Sequence, residues 1–378
     1  MPNRKLNVVE LYAGTARSAD AFRAWKRCRT SLLVDSDPFA AKVYLENHPG
    51  TPYLVGSLSR LSPADIKAEA GGRVDILLGC PPCQGFSDTG SRDPDDWRNR
   101  HLSRFRVFVE ALRPIAVALE NVPLAAGGRR FNKFVASLEH MGYRATWGIL
   151  NAALRGSAQC RHRLVYVAVR GDVKADPVIP QPTHGGTRSY FNYANARLTQ
   201  LESGRITMLA EAPAVRRMRR DMPYQDALLG SGPIPTVEES IGDLPSIGSA
   251  GAQALAHCAW HHTPAMRRRM ARVPEGGRWS GGEDHFSHSY GRLHRRGLAR
   301  TVTTFFSNPG SGRFWHPIED RCLSVREAAR LQGFPDWFRF PSEDVMRTCG
   351  LVGNALDGAL AKTSYRAIRD ALELGGQG

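Results

Sequence analysis

The stretch Val74-Asp75-Ile76-Leu77-Leu78-Gly79-Cys80-Pro81-Pro82-Cys83-Gln84-Gly85-Phe86-Ser87 decides how the chain is read. Its first five residues form an apolar run of the length expected for a buried strand. Pro81 and Pro82 then end it, because proline has no N–H to give to a sheet ladder. Cys83 therefore lies on a stiff loop at a strand's end, and in open α/β sheets ligands bind outside the carboxyl ends of the strands. Three readings of the loop are open. A free cysteine most often packs as a small hydrophobe, although two prolines, a polar Gln84 and a flexible Gly85 argue against burial. Cys80-x-x-Cys83 also fits a redox pair or half of a zinc site. The zinc reading needs a second pair, for which Cys258 with His261 or His262 is the candidate, at a looser spacing than regular zinc sites show.

On either side of this loop, residues 1 to about 172 alternate strand-like and helical runs. Strands are predicted at Leu6 to Leu11, Ser31 to Val34, Asp75 to Leu78, Ile115 to Leu119, Ala145 to Leu150 and Leu164 to Val169. Helices such as Ser18 to Trp25 and Phe131 to Met141 lie between them, so βαβ units and a mostly parallel sheet are expected. From Asp176 the alternation fades, Pro and Gly become frequent, and arginines cluster at Arg216-Arg217-Met218-Arg219-Arg220 and Arg267-Arg268-Arg269. A helical pattern returns after Ser324. The residues from Asp88 to Arg104 carry several charges and no apolar period, and read as a loop.

At 378 residues the chain can bury a large core and is long enough for two or three domains. Its formal net charge is +15, and 44 of its 51 cations are arginine. Arginine pairs bidentately with phosphates and guanine edges, so the charge favours a nucleic-acid partner. No apolar run approaches the roughly 20 residues of a membrane span, and the N-terminus lacks a signal peptide's hydrophobic region. Seven cysteines suit a reducing compartment better than a disulfide framework. A soluble, cytoplasmic protein is expected.

The first predicted strand runs into Glu10-Leu11-Tyr12-Ala13-Gly14-Thr15-Ala16, a glycine turn of the kind that lets a nucleotide-like ligand approach the backbone. There is no Gly-x-Gly-x-x-Gly, which disfavours a dinucleotide pyrophosphate. Asp35 follows Gly14 by 21 residues, near the spacing of a carboxylate that binds ribose hydroxyls. Glu10 and Asp35 make this an acidic pocket, suited to a cationic adenosine cofactor such as S-adenosylmethionine. The strand Ile115 to Leu119 delivers Glu120-Asn121-Val122-Pro123 to the same sheet edge as Cys83. Arg161 and Arg163, two apart ahead of another strand, are expected on one face, placed to hold that carboxyl and a substrate oxygen.

In that order, Pro82-Cys83-Gln84, Glu120-Asn121-Val122 and Gln159-x-Arg161-x-Arg163 resemble the signature motifs of the DNA (cytosine-5) methyltransferases. So do Ile241-Gly242-Asp243-Leu244-Pro245, Pro274-Glu275-Gly276-Gly277, Thr301-Val302-Thr303-Thr304, Arg326 to Pro335 and Gly353-Asn354-Ala355. The resemblance implies a Rossmann-like methyltransferase sheet of α/β class in residues 1–180. It further implies a smaller, mostly irregular or β target-recognition domain in 181–318, and a hinge with C-terminal helices returning to the catalytic domain in 319–378. It makes Cys83 the nucleophile, Glu120 the holder of the base's N3 and amine, Arg163 its orienter and Arg161 a buttress. The cofactor S-adenosyl-L-methionine, leaving as S-adenosyl-L-homocysteine, would lie against Tyr12, Ala13, Gly14, Asp35, Ser57, Pro82, Leu102, Asn354 and Ala355, with no metal. DNA contacts are implied for Gln84, Ser87, Thr89 and Thr301.

The implied partner is double-stranded DNA, handled by a monomer associated with the nucleoid, either of restriction-modification type, with a restriction endonuclease as a functional companion, or of orphan type. Four positions depart from the family pattern: Ala16 stands for a glycine, Ser57 for an acid, Tyr12 for a phenylalanine, and Ala158 for the proline before Gln159. Two rivals are a tRNA cytosine methyltransferase, whose Cys-Phe-Thr tripeptide is absent here, and a DNA-binding regulator without catalysis.

Overall fold

The computed structural model describes residues 4–82, 100–185, 232–255, 257–258, 260–279, 289–341 and 343–374. Eight strands and five helices build the first half: β1 (Leu6–Leu11), α1 (Arg17–Phe22), β2 (Cys28–Asp35), α2 (Pro38–Asn47), β3 (Tyr53–Val55), α3 (Pro63–Glu69), β4 (Ile76–Gly79), α4 (Arg100–Leu112), β5 (Ala116–Asn121), α5 (Arg129–His140), β6 (Tyr143–Asn151), β7 (Gln159–Cys160) and β8 (His162–Arg170). Seven of the strands form one sheet in the order β3-β2-β1-β4-β5-β8-β6. The pairings among β3, β2, β1, β4 and β5 are parallel, whereas β8 runs antiparallel to both of its neighbours, β5 and β6. The six predicted strands are all present, each longer by one to four residues or shifted by one. The exception is β1, whose bounds agree with the prediction.

Strand residues alternate between two cores, as the two-residue side-chain period requires. Val8, Leu33, Ile76, Leu78, Ala116 and Ala118 point to a layer closed by α1 and the helix Gly358–Leu374. Val9, Leu11, Val34, Leu77, Val117 and Leu119 point to the opposite layer, filled by Phe105 and Phe108 of α4 and Phe131 and Phe134 of α5. Burial on both faces explains why these strands read as continuous apolar runs. The helix α4 begins at Arg100, so residues 100–104, expected in a loop, are helical. Phe105 packs so closely on the end of β4 that a Cβ at Gly79 would lie 2.4 Å from its ring, which makes glycine necessary there.

A third core joins Phe39 and Val43 of α2 and Ala158 to Val237, Leu293, Val302, Phe306, Leu331 and Val352. The segment Thr303-Thr304 crosses the helix Val345–Asn354 so closely that a Cβ at Gly353 would lie 2.4 Å from the Thr303 carbonyl carbon. Two substitutions in this one helix should therefore act in opposite directions. Gly353→Ala should lower stability by about 1–3 kcal/mol through overpacking. At Gly350, where a Cβ meets nothing within 4 Å, alanine should raise it by about 0.5–1 kcal/mol through helix propensity. Thermal denaturation of the two variants checks both signs.

Candidate active site

The strand order reverses direction at β1, whose neighbours are β2 on one side and β4 on the other. That is the switch point where open α/β sheets leave a crevice. The turn leaving β1 is unusual: Tyr12, Gly14 and Ala16 all have positive φ, at 58°, 50° and 51°. For a non-glycine residue this left-handed backbone costs on the order of 1–2 kcal/mol, and Ala16 bears it while fully buried. The Gly14 N–H donates to Asp35 Oδ2 at 2.8 Å, and the Tyr53 hydroxyl donates to the Gly14 carbonyl at 2.8 Å. The ends of β1, β2 and β3 are thereby tied together. Burial raises the Asp35 carboxyl above its ordinary range despite backbone N–H donors from Asp37, Gly14 and Ser36.

Space for a ligand opens beside this turn, since a Cβ at Gly14 would meet no atom within 4 Å. One wall is Tyr12, whose hydroxyl donates to the His101 carbonyl at 3.3 Å. Arg104 clips α4 to the loop after β3, donating to the carbonyls of Leu58 and Leu61 at 2.8 and 2.6 Å. That clip brings the half-buried Ser57 alongside; Leu102 lies inside the α4 core layer, against which Tyr12 packs. Beneath the turn, Glu10 is buried at 1 % exposure and accepts from the Ala19 N–H at 2.7 Å. Burial pushes its carboxyl up to about 8. The Asp35 carboxyl at the turn is suited to hold the hydroxyls or positive charge of a cationic adenosine cofactor.

Across the switch point, Glu120 sits near the carboxyl end of β5, paired with Arg163 at 2.9 Å. The antiparallel register of β8 makes this contact: Glu120 lies opposite Val165 and Asn121 opposite Leu164, so the start of β8 meets the end of β5. Asn121 Nδ2 donates to the Pro81 carbonyl at 3.3 Å and so holds the loop leaving β4 beside Glu120. Pro81 is buried and Pro82 exposed. Cys83, Gln84, Ser87 and Thr89 lie outside the described residues. Cys80 is half-buried against Ser18 Oγ, 3.9 Å away. Cys258 is exposed, His262 Nε2 accepts from the Cys322 N–H at 3.0 Å, and no group of three metal-ligating side chains occurs among the described residues.

The two arginines do not share a partner, contrary to the expectation from their spacing. Arg161 falls in the break between β7 and β8 and turns away, buried at 2 % exposure. It donates to the carbonyls of Val302, Gly353 and Ala355 at 3.1, 3.2 and 3.1 Å. Burial, then repulsion by Arg163, lowers its guanidinium to about 9, still cationic at neutral pH. This one side chain fixes the Thr301-Val302-Thr303 segment and the Asn354-Ala355 turn to the sheet. Asn354 is exposed and Ala355 buried. Thr301 Oγ1 donates to the Cys160 carbonyl at 2.9 Å.

Sequence reasoning overlooked the polar hub beneath this strut. Asp357, fully buried, accepts from Ser157 Oγ and from Gln159 Nε2, both at 2.8 Å. Gln159 Oε1 in turn accepts from the Val302 N–H at 3.1 Å, and Gln332 Nε2 donates to the Val352 carbonyl at 2.8 Å. A lone acid within the apolar run Leu356-Asp357-Gly358-Ala359-Leu360 was the available signal.

Comparison with known proteins covers nearly the whole chain. Residues 6–370 match the family described as C-5 cytosine-specific DNA methylase. The Type II methyltransferase M.AgeI of Thalassovita gelatinovora is 28% identical over 97% of this chain and 100% of its own length. The Type II methylase M.HgiDII of Herpetosiphon aurantiacus is 28% identical over 90% of this chain and 88% of its own length. In fold, the chain resembles the S. pombe Dnmt2 methyltransferase with a TM-score of 0.63 at 15% identity, covering 98% of this chain and 100% of that one.

Two stability measurements probe the turn and the acid below it. Ala16→Gly should stabilise the protein by about 1 kcal/mol, because glycine adopts the left-handed backbone without a Cβ clash. For Glu10, the raised carboxyl means that folded-state stability is fully present below about 4.5 and is lost as pH climbs toward about 8. Glu10→Gln removes that loss, so its stability advantage over the parent, followed by denaturant melts, should grow between pH 5 and pH 8. A constant difference across that range would show that Glu10 is ionised in the folded protein.

Proposed function

The chain belongs to the C-5 cytosine-specific DNA methylase family and is a DNA (cytosine-5) methyltransferase; on that premise we propose how its own residues carry the reaction. The observation that carries the reading is the Glu120–Arg163 pair, held beside the Pro81-Pro82 loop by Asn121 and facing the acidic turn at Gly14. Tyr12, Ala13, Gly14, Asp35, Ser57, Pro82, Leu102, Asn354 and Ala355 form the pocket for S-adenosyl-L-methionine. Bound there, this cofactor supplies an electrophilic sulfonium methyl group and leaves as S-adenosyl-L-homocysteine.

Cytosine C5 is a poor nucleophile. Addition of the Cys83 thiolate to C6 makes C5 an enamine carbon, and protonation at N3 by Glu120 prevents negative charge from accumulating in the ring. Arg163, already on Glu120, orients the base through its O2. Arg161 touches neither base nor cofactor and keeps the surrounding backbone in place. Loss of the C5 proton, elimination of Cys83 and return of the N3 proton to Glu120 bring the enzyme back to its starting state.

A base inside a duplex is out of reach of these groups, so the cytosine is flipped out, at a cost of a few kcal/mol in stacking and pairing. The arginine-rich stretch 181–318 holds the double-stranded DNA as a target-recognition domain between the catalytic domain, 1–180, and the C-terminal hinge and helices, 319–378. Its Arg216–Arg220 cluster lies outside the described residues. Gln84, Ser87, Thr89 and Thr301 contact the DNA. The protein works as a monomer in the cytoplasm at the nucleoid, either beside a restriction endonuclease or as an orphan methyltransferase. Among the described residues no helix is long and apolar enough to cross a membrane.

Duplex DNA carrying 5-fluorocytosine at the target should trap a denaturation-stable complex in the presence of S-adenosylmethionine, because fluorine replaces the proton that must leave. Cys83→Ala should abolish that band. Methyl transfer to tRNA with none to duplex DNA would overturn the reading.

A further inference from the structure

The arginine run Arg267-Arg268-Arg269 lies on the helix Pro264–Ala271, which Thr263 caps by accepting from the Met266 N–H at 3.2 Å. Met270, fully buried, and Met266 seat this helix in the small core of Val273, Trp315 and Cys322. Arg269 is half-buried, 5.2 Å over the Trp279 ring and 5.6 Å over that of Tyr290. The far end is gripped by Arg292, a buried side chain that donates to the carbonyls of Met270 and Val273 at 2.7 and 2.9 Å. Trp315 Nε1 donates to the Pro309 carbonyl at 3.1 Å, so the mount continues into the segment that Arg161 holds at Val302. What it leaves in solvent is one face carrying Arg267, Arg268 and Arg272, because residues one, four and five apart share an arc of a 3.6-residue turn.

Within residues 232–323 the described acids are engaged elsewhere. Glu275 pairs with Arg295 at 3.3 Å, Asp320 with Arg292 at 2.7 Å and Glu319 with Arg321 at 2.9 Å, and none pairs with the exposed face. A solvated helix face ordinarily mixes its charges. This one carries a single sign, and Arg268 and Arg272, four residues apart, repel one another, a cost that a polyanion laid along the helix would reverse. We propose that Arg267, Arg268 and Arg272 grip the phosphate backbone of duplex DNA, supplying affinity without reading sequence. The grip is rigid, because the helix beneath it is fixed at both ends and along its inner side. This inference rests on the duplex-DNA substrate given above and goes further by dividing the arginines of the recognition region: these three meet the DNA, whereas Arg269 and Arg292 hold the helix that presents them.

The test is binding of the full chain to duplexes of unrelated sequence, followed by fluorescence anisotropy over a range of salt concentrations. Each phosphate contact contributes about 0.9 to the slope of log affinity against log salt. The triple variant Arg267→Gln/Arg268→Gln/Arg272→Gln should therefore lower that slope by about 2 to 3. It should also weaken binding at least about tenfold at low salt, equally for every duplex, with the melting temperature unchanged. The matching Arg→Lys triple variant should keep the slope, because counterion release follows charge. Arg369→Gln, which removes one charge from an acid-paired arginine of the last helix, should leave the slope as it is in the parent. If the parent binds duplex DNA and the glutamine variant keeps its slope, or if the lysine variant loses as much as the glutamine variant, the face does not grip phosphate. A slope that falls for tRNA and not for duplex DNA would give the face to RNA and equally overturn the proposal. If the parent has no affinity for duplex DNA, the substrate reading falls first and this inference falls with it.

Discussion

The buried guanidinium of Arg161 is the constraint on which the rest of the structure depends. Removing a cation from water costs several kcal/mol, and among the described residues no carboxylate forms an ion pair with it, although the charges of Glu120 and Asp357 favour it from farther off. The offset comes from three backbone carbonyls belonging to two segments that are distant in sequence, at Val302 and at Gly353 and Ala355. Those segments must meet at the break between β7 and β8 or leave a charge stranded. The absence of a Cβ at Gly353 lets them approach closely enough to do so. Gln159 and Asp357 complete the joint, so that residues 198 positions apart share one buried polar core.

The sheet supplies the second constraint. Parallel strands up to β5 bring the ends of β1, β4 and β5 to one edge, and the single reversal at β8 brings the start of that strand to the same edge. A parallel β8 would deliver Arg170 there and leave Arg163 at the opposite end of the sheet. The Glu120–Arg163 pair is therefore a product of topology, and Asn121, reaching back to the Pro81 carbonyl, holds the end of the chain leaving β4 beside the pair.

The turn above Glu10 carries strain and an awkward charge together. Tyr12 and Ala16 adopt left-handed backbone that glycine would take without penalty, and Glu10 is buried where ionisation is costly. Such features persist where the surroundings over-determine them, and they collect at functional sites. Here the surroundings are specific: Tyr53 and Asp35 grip Gly14, and Ala19 grips Glu10.

Much of this was legible in the residues themselves. Apolar runs of strand length marked the sheet because both faces of each strand are buried, and Glu120, Arg163 and the Gly14 turn were identifiable because charged or glycine residues at strand ends have few structural reasons to be there. The short β3 and the helical start of α4 were not, since three strand residues carry no period and Arg100 to Arg104 are too polar to announce a buried face. The different fates of Arg161 and Arg163 were also hidden. A two-residue spacing places side chains on one face only within a continuous strand, and the strand breaks between them. By itself the sequence determined the chemical groups and the strand ends on which they ride. Only the tertiary structure decided which of them meet, because the partners of Arg161, Glu120 and Asp357 are set by strand direction and close backbone approach across long separations.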